Sequence, residues 1–296
     1  MREIKLFTDS CSDLPKRIRD KYDVSYFRFN FMKNGEEREA DLDWKNIKPE
    51  ELYDGLREGD HVYTLPALEL NIYRKMVSYI KKNYDIIYIA CPEVLSKTIV
   101  KARHVAEKIL DEYPDARIDV IDSYNASMGI GLLVAKAGEM IKEGLTLDEI
   151  VEKISALRNR INQYAAVGTL TYLSRANRIN ASAAILGNLL NLKPILTADV
   201  VGRQSALFQI RGREASIQKV ADLFCEAVEK PEEQDIYIMH ADCKEDALHL
   251  QALIEEKGVK PKSFKIGDFG PIVGIATGPE TVCIFGFGKE VTFRGE

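Results

Sequence analysis

The sequence carries no excess of basic charge, no paired cysteine spacing and only four histidines in 296 residues. Its longest apolar runs, Ile86–Cys91 and Ile130–Ala135, fall far short of the ~20 residues of a membrane helix. Lys+Arg 41 against Asp+Glu 46 leaves a formal charge of −5, a balance with no global field for drawing in nucleic acid. The opening MREIKLFTDS turns polar too soon for a secretory signal. Cys11, Cys91, Cys225, Cys243 and Cys283 are odd in number and scattered, which argues against a zinc framework or a disulfide scaffold and for reduced thiols in a cytoplasm. No Walker A, GxSxG or HExxH pattern occurs. Gly129-x-Gly131 lacks the third glycine of a dinucleotide fingerprint and sits inside a helical pattern. No metal and no cofactor are therefore expected.

What is present is a core-forming composition, 46% hydrophobic, in a length suited to about two domains. Ile4–Phe7, Val24–Phe31, Ile86–Ala90 and Arg117–Ile121 read as strands, and Asn34-Gly35 as a hairpin turn. Helical patterns lie at about 48–57, 69–82, 96–110 and 127–142, and Thr146-x-x-Glu149 opens another as a capping box. That alternation predicts a parallel, helix-flanked sheet. The second half reads as mixed α+β. Strands are expected at Gln163–Val167, Pro194–Thr197, Val200–Gly202, Ala206–Ile210, Asp235–His240, Ser263–Ile266 and Val282–Phe285. A helical turn at Thr169–Arg178 and helices at Ala181–Leu190, 212–229 and 244–257 complete it. The fold class is thus α/β with two α/β domains, 1–160 and 161–296, the first with a parallel sheet and the second with a mixed sheet packed on helices.

Ligands of open α/β sheets bind beyond the C-terminal strand ends. Four polar turns occupy such places: Thr8 to Asp13, Thr64 to Ala67, Leu95 to Thr98, and Asp122 to Ser127. Hydroxyls beside helix N-termini suit an anion such as a carboxylate or a phosphate. The plainer alternative is capping, with Ser127 and Asp13 as the N-caps of the helices that follow them. His240 at a strand end, near Asp242, is the best acid–base candidate, and a surface or edge histidine is the commoner meaning of such a residue. Arg178, Arg203, Arg211 and Arg213 cluster in sequence and could neutralise an anion, although solvated arginines are commoner.

These turns, in this order, resemble the DegV family of bacterial fatty-acid-binding proteins. Thr8-Asp9-Ser10 with Asp13-Leu14-Pro15 matches the family's opening, and Asp122-Ser123 through Ser127-x-Gly129-x-Gly131 its second motif. Thr169-Leu170-x-Tyr172-Leu173 with Arg178-Ile179, the stretch LLNLKPIL, Gly202 to Arg211, and Gly274 with Thr277-Gly278-Pro279 continue the match along the chain. The resemblance implies a non-enzymatic protein of lipid metabolism. It would bind a long-chain fatty acid such as palmitate, stearate or oleate, with the tail buried and the head group near the interdomain face. Some members present that acid to a separate fatty-acid kinase. Thr64, Ser96, Lys97, Thr98, Arg178, Ser10, Ser127, Ala276 and Thr277 are the ligand-binding residues it points to here, and the tail pocket is expected between the sheet and helices of the first domain.

The chain departs from the family at the carboxylate end. Leu65 and Ala67 replace serines, Lys97 and Asn177 replace glycines, Ala276 replaces a histidine, and Glu280 replaces the last glycine of that motif. Three hydrogen-bond donors are lost, each worth about 1.5–3 kcal/mol to a charged partner. Lys97 either pairs with a carboxylate as a point charge or points to solvent. Two alternatives stand beside fatty-acid binding: a divergent binder of another anionic amphiphile without a kinase partner, and an enzyme using Asp9, Asp122 or His240 on a phosphorylated or acylated substrate.

Overall fold

A computed structural model describes residues 2–179 and 191–295. The first half of the chain runs β1 (Glu3–Asp9), α1 (Lys16–Lys21), β2 (Ser25–Phe27), β3 (Asn30–Lys33), β4 (Glu36–Glu39), α2 (Pro49–Glu58) and β5 (Val62–Leu65). It continues through α3 (Glu69–Ile80), β6 (Tyr84–Ala90), α4 (Thr98–Glu112), β7 (Ile118–Asp122), α5 (Met128–Lys142) and α6 (Leu147–Leu157). The second half holds β8 (Ile161–Ala166), α7 (Thr171–Arg175), β9 (Leu192–Ala198), β10 (Gln204–Arg211) and α8 (Arg213–Ala227). β11 (Asp235–Ala241), α9 (Lys244–Glu256), β12 (Ser263–Asp268), α10 (Pro271–Thr277) and β13 (Thr281–Phe287) complete it. The helix expected over Ala181–Leu190 lies outside the described residues.

The fold is α/β, with a parallel sheet and a mixed sheet. The first sheet has the order β2-β1-β6-β7, every pair parallel. β6 is buried along nearly its whole length because helices cover both faces, which is why its sequence is a continuous apolar run. The second sheet has the order β10-β9-β8-β13-β11-β12, antiparallel except for β11 with β12. A small antiparallel sheet, β4-β3-β5, is attached to the first half. No described helix is long and apolar enough to cross a membrane.

α5 joins the two large sheets. Every residue from Met128 to Val134 is buried, since the helix packs on β1 and β6 on one side and on β8 and β13 on the other. A helix apolar all round belongs in such a position. Gly129 and Gly131 are packing glycines here: a Cβ on Gly129 would lie 2.8 Å from Cβ of Asn125, and one on Gly131 2.7 Å from the Met128 side chain.

The alternating stretch Val24–Phe31 is not one strand. β2 ends at Phe27, and the Phe29 amide donates to Ser10 Oγ at 2.9 Å while the Ser10 amide donates to the Phe27 carbonyl. Ser10 thereby takes the chain out of the parallel sheet, and β3 restarts in the small one. The Asn34-Gly35 hairpin forms as read, with φ of 51° and 88°, and so does the Thr146–Glu149 capping box. Val200–Gly202 is a turn instead of a strand, because Asp199 Oδ1 accepts from the amides of Val201 and Arg203.

That turn rests against the loop before α5. Gly202 has φ +88°, and a Cβ there would meet Tyr124 backbone atoms at 2.8 to 2.9 Å. Gly59 has φ +93° with nothing within 4 Å of a Cβ. Gly59→Ala should therefore cost only the backbone preference, about 1 kcal/mol. Gly202→Ala should cost roughly 1 to 3 kcal/mol more, because backbone cannot move aside as a side chain does. Urea unfolding of the two variants checks this, and equal losses would refute the contact.

Candidate functional site

The spatial order β2-β1-β6-β7 reverses between β1 and β6, whose connections leave toward opposite edges. Such a switch point opens a crevice at the strands' C-terminal ends. Asp9, the last residue of β1, bridges it. Its Oδ1 accepts from the Cys11 amide at 2.9 Å, and its Oδ2 accepts from the Cys91 amide at 2.8 Å and the Tyr88 hydroxyl at 2.7 Å. Four residues on, Asp13 Oδ2 accepts from Ser127 Oγ at 2.5 Å and Oδ1 from the Gly270 amide at 2.9 Å. Burial pushes Asp9 up to about 6 and Asp13 up to about 7, against the hydrogen bonds that favour their charged forms.

Above these carboxylates a cavity of about 360 Å³ opens between the switch point and the mixed sheet, within the range of small-molecule sites. The parallel sheet contributes Cys11, Cys91 and the loop residues 93–97, and the mixed sheet contributes Gln163 and Ala165 of β8, Val167 just past it, and Thr281, Cys283 and Phe285 of β13. Ile272, Val273, Ala276 and Thr277 of α10 complete one wall. Most of the lining is apolar. Hydrogen bonding to Cys11 and burial hold the Cys91 thiol well above the ordinary thiol range, so it serves as an apolar wall. The sequence places a tail pocket between the sheet and helices of the first domain, whereas this cavity takes walls from both sheets.

Seven of the nine residues singled out by sequence border the cavity: Thr64, Ser96, Lys97, Ser127, Arg178, Ala276 and Thr277. Their polar groups are partly committed elsewhere. Ser96 Oγ donates to Thr98 Oγ1 at 3.1 Å, and Thr277 Oγ1 donates to the Val273 carbonyl at 2.9 Å. Arg178 donates to the Ala176 carbonyl at 2.7 Å and faces no carboxylate among the described residues. Lys97 stands exposed at the rim. Glu93, the one acidic wall residue among those described, pairs with Arg103 at 3.1 Å.

Ser10 and Thr98 do not border the cavity. Ser10 shapes the exit from β2, and Thr98 Oγ1 accepts from the Ala67 amide at 3.1 Å. The capping reading is overturned for Ser127 and Asp13, since neither side chain caps a helix and each bonds the other across the chain. Asp122 binds the amides of Glu93 and Tyr124. The His240 ring is buried with Nδ1 3.4 Å from Asp268, and burial pulls its pKa down. Asp9, Asp122 and His240 all lie off the cavity wall. Of the four clustered arginines only Arg178 reaches it, and Arg213 pairs with Asp246 at 2.6 Å. Gln163, Gln204 and the α10 residues Ile272 and Val273 escaped the sequence reading of the site. Gln163 could have been found from the β8 alternation that it shares with Ala165.

A family model for uncharacterised proteins of the DegV family matches residues 3–289. A DegV domain-containing protein of Clostridium perfringens is 32% identical over 97% of this chain and 98% of its own. One from Clostridium acetobutylicum is 28% identical over 98% and 100%. Among solved structures, a DegV family protein from Thermus thermophilus, described as binding fatty acid, superposes with TM-score 0.88 at 27% identity, covering 98% of this chain and all of that one. The Bacillus subtilis DegV structure shares the fold with TM-score 0.82 at 23% identity, covering 98% of this chain and 100% of that chain.

The elevated Asp13 pKa has a consequence for stability. The native state keeps a proton that the unfolded chain gives up above about pH 4, so Asp13 favours folding at low pH and loses that contribution as pH rises through about 7. Asp13→Asn cannot ionise. Relative to wild type, its unfolding free energy should rise by roughly 2 kcal/mol or more between pH 5 and pH 8, read by urea titration at both. Parallel pH profiles would show that Asp13 titrates normally.

Proposed function

The chain belongs to the DegV family, and from that premise we propose that it binds a long-chain fatty acid in the cavity between its two large sheets, tail on the apolar walls and carboxylate toward Arg178 and Lys97. One observation carries this reading: the apolar cavity presents two cations while its one described acidic residue is already paired with Arg103. A buried or half-buried arginine without a carboxylate partner is a ready site for an anion. The fatty acid described for the Thermus thermophilus relative supports the ligand class.

On this reading the protein is a binding protein in the cytoplasm and not an enzyme. Its acid–base candidates hold loops together by hydrogen bonds, or, for His240, sit buried off the wall. Presentation of the bound acid to a separate kinase, which would move the γ-phosphoryl of ATP onto the carboxylate, is the finer part of the proposal. Formation of acyl phosphate from the loaded protein, a bacterial fatty-acid kinase and ATP tests that part.

Native mass spectrometry of protein purified from a bacterial host, followed by extraction of the released molecule, tests the binding itself. One fatty acid per chain is expected. Ala165→Trp, which projects an indole into the cavity, should remove it while the variant still unfolds cooperatively. An empty wild-type protein that also ignores added palmitate and oleate would sink the proposal.

A further inference from the structure

Two amides in the apolar part of the cavity are left half-satisfied. Gln163 is 4% exposed, and it borders the cavity together with the half-buried Gln204, the first residue of β10. Gln163 Nε2 donates to Gln204 Oε1 at a long 3.5 Å, and Gln163 Oε1 and Gln204 Nε2 are buried without a partner among the described residues. The pair therefore offers one acceptor and one donor side by side. Exchanging O and N on both amides leaves one of each again. Buried polar groups are normally paired, and an unpaired pair facing a ligand cavity points to a polar group on the ligand.

A hydroxyl has the complementary chemistry: it donates to Gln163 Oε1 and accepts from Gln204 Nε2, whereas a methylene leaves both unpaired. The position along the chain also follows. Gln163 lies beside Phe285 and Ala165 beside Cys283 on one face of β8, and Val167, the residue just past the strand, also borders the cavity. Val167 packs with Leu173, whose carbonyl receives the Arg178 backbone amide, and both Val167 and Arg178 border the cavity, so we place the proposed cationic end at the Val167 level. Four residues of strand separate that level from Gln163, about 13 Å. An extended acyl chain advances roughly 1.3 Å per carbon given C–C bonds near 1.5 Å, so the amides meet the chain about ten carbons from the carboxylate. Resting on the fatty-acid reading above, we infer that this site prefers a fatty acid with a mid-chain hydroxyl, the Gln163–Gln204 pair being its specificity determinant.

Calorimetric titration of delipidated protein with stearate, 3-hydroxystearate and 10-hydroxystearate tests this. Wild type should bind 10-hydroxystearate about tenfold or more tighter than stearate, with no such gain for the 3-hydroxy acid. Gln204→Leu and the volume-conserving Gln163→Met should each abolish the preference, read as the ratio of the 10-hydroxystearate and stearate affinities within each variant. Stearate bound as tightly as 10-hydroxystearate by wild type overturns the hydroxyl site and leaves fatty-acid binding intact. A preference that survives in both variants overturns the role of the amides. Failure to bind any of the three acids overturns both readings. If either variant does not fold, the positional comparison in wild type decides alone.

Discussion

The Asp13 carboxylate receives the Ser127 hydroxyl and the Gly270 amide at once, so one side chain from the first loop holds the head of α5 and the head of α10 at the same point. Ser127 lines the cavity, and so does Phe269, the residue before Gly270. Asp9 does the same work one step lower, between the ends of β1 and β6. Moving either carboxylate would move the cavity walls, because those walls are the residues that the carboxylates hold. Asp13 carries a further burden. Its backbone is left-handed at φ 48°, and Ser127, its partner, sits at φ 50°. Such backbones cost of order 1 kcal/mol or more and persist where the surroundings over-determine them. The short hydrogen bond between these two strained residues supplies that determination. The Asp9 charge opposes ionisation of Asp13, whereas the Ser127 hydrogen bond favours it.

Backbone conformation separates the chain's departures from its family into two kinds. Lys97 has φ −78° and ψ 1°, a conformation open to any side chain, so replacing glycine there changes chemistry without changing the loop. Asn177 sits at φ 54°, where asparagine is among the easiest substitutes for glycine. Glu280 is different. It holds φ 62° and donates its amide to the Ala241 carbonyl, which fixes the turn into β13 at a conformational cost that glycine would not bear. Its carboxylate stands 3.8 Å from the Lys193 ammonium. The scaffold thus accommodates all three side chains, and of the three only Lys97 borders the cavity.

Elements with a strong local signature were legible in the sequence. β6 declares itself by a β-branched apolar run, α6 by its capping box, and the β3–β4 turn by Asn34-Gly35. What escaped depends on contacts between residues far apart in the chain. Nothing local says that Phe29 will bond to Ser10, so Val24–Phe31 reads as one strand. Asp13 and Ser127 look like helix caps because each precedes a helix, and only a separation of 114 residues closed by folding gives them to each other. β5 and α10 are four and seven residues long, too short for a period to show. The candidate site was readable as a set of turns, since switch-point geometry predicts where turns converge. Its second wall was not, because the packing of one sheet on another across α5 leaves no trace in residue spacing.

The division of labour within the cavity follows from magnitudes. Each methylene taken from water contributes about 0.8 kcal/mol, so on the proposed binding mode ten methylenes against walls such as Leu196, Val273 and Cys283 would match or outweigh two or three head-group hydrogen bonds at about 1.5–3 kcal/mol each. In that mode, apolar side chains at Leu65 and Ala276 on the wall would weaken the hold on a carboxylate more than the hold on the molecule. A tail gripped this way is free to slide, because apolar contact is non-directional. Something must set the register. With fewer directional bonds at the head, that burden falls in the proposed mode to polar groups along the tail, and among the described residues the buried wall atoms left without a partner are Gln163 Oε1 and Gln204 Nε2.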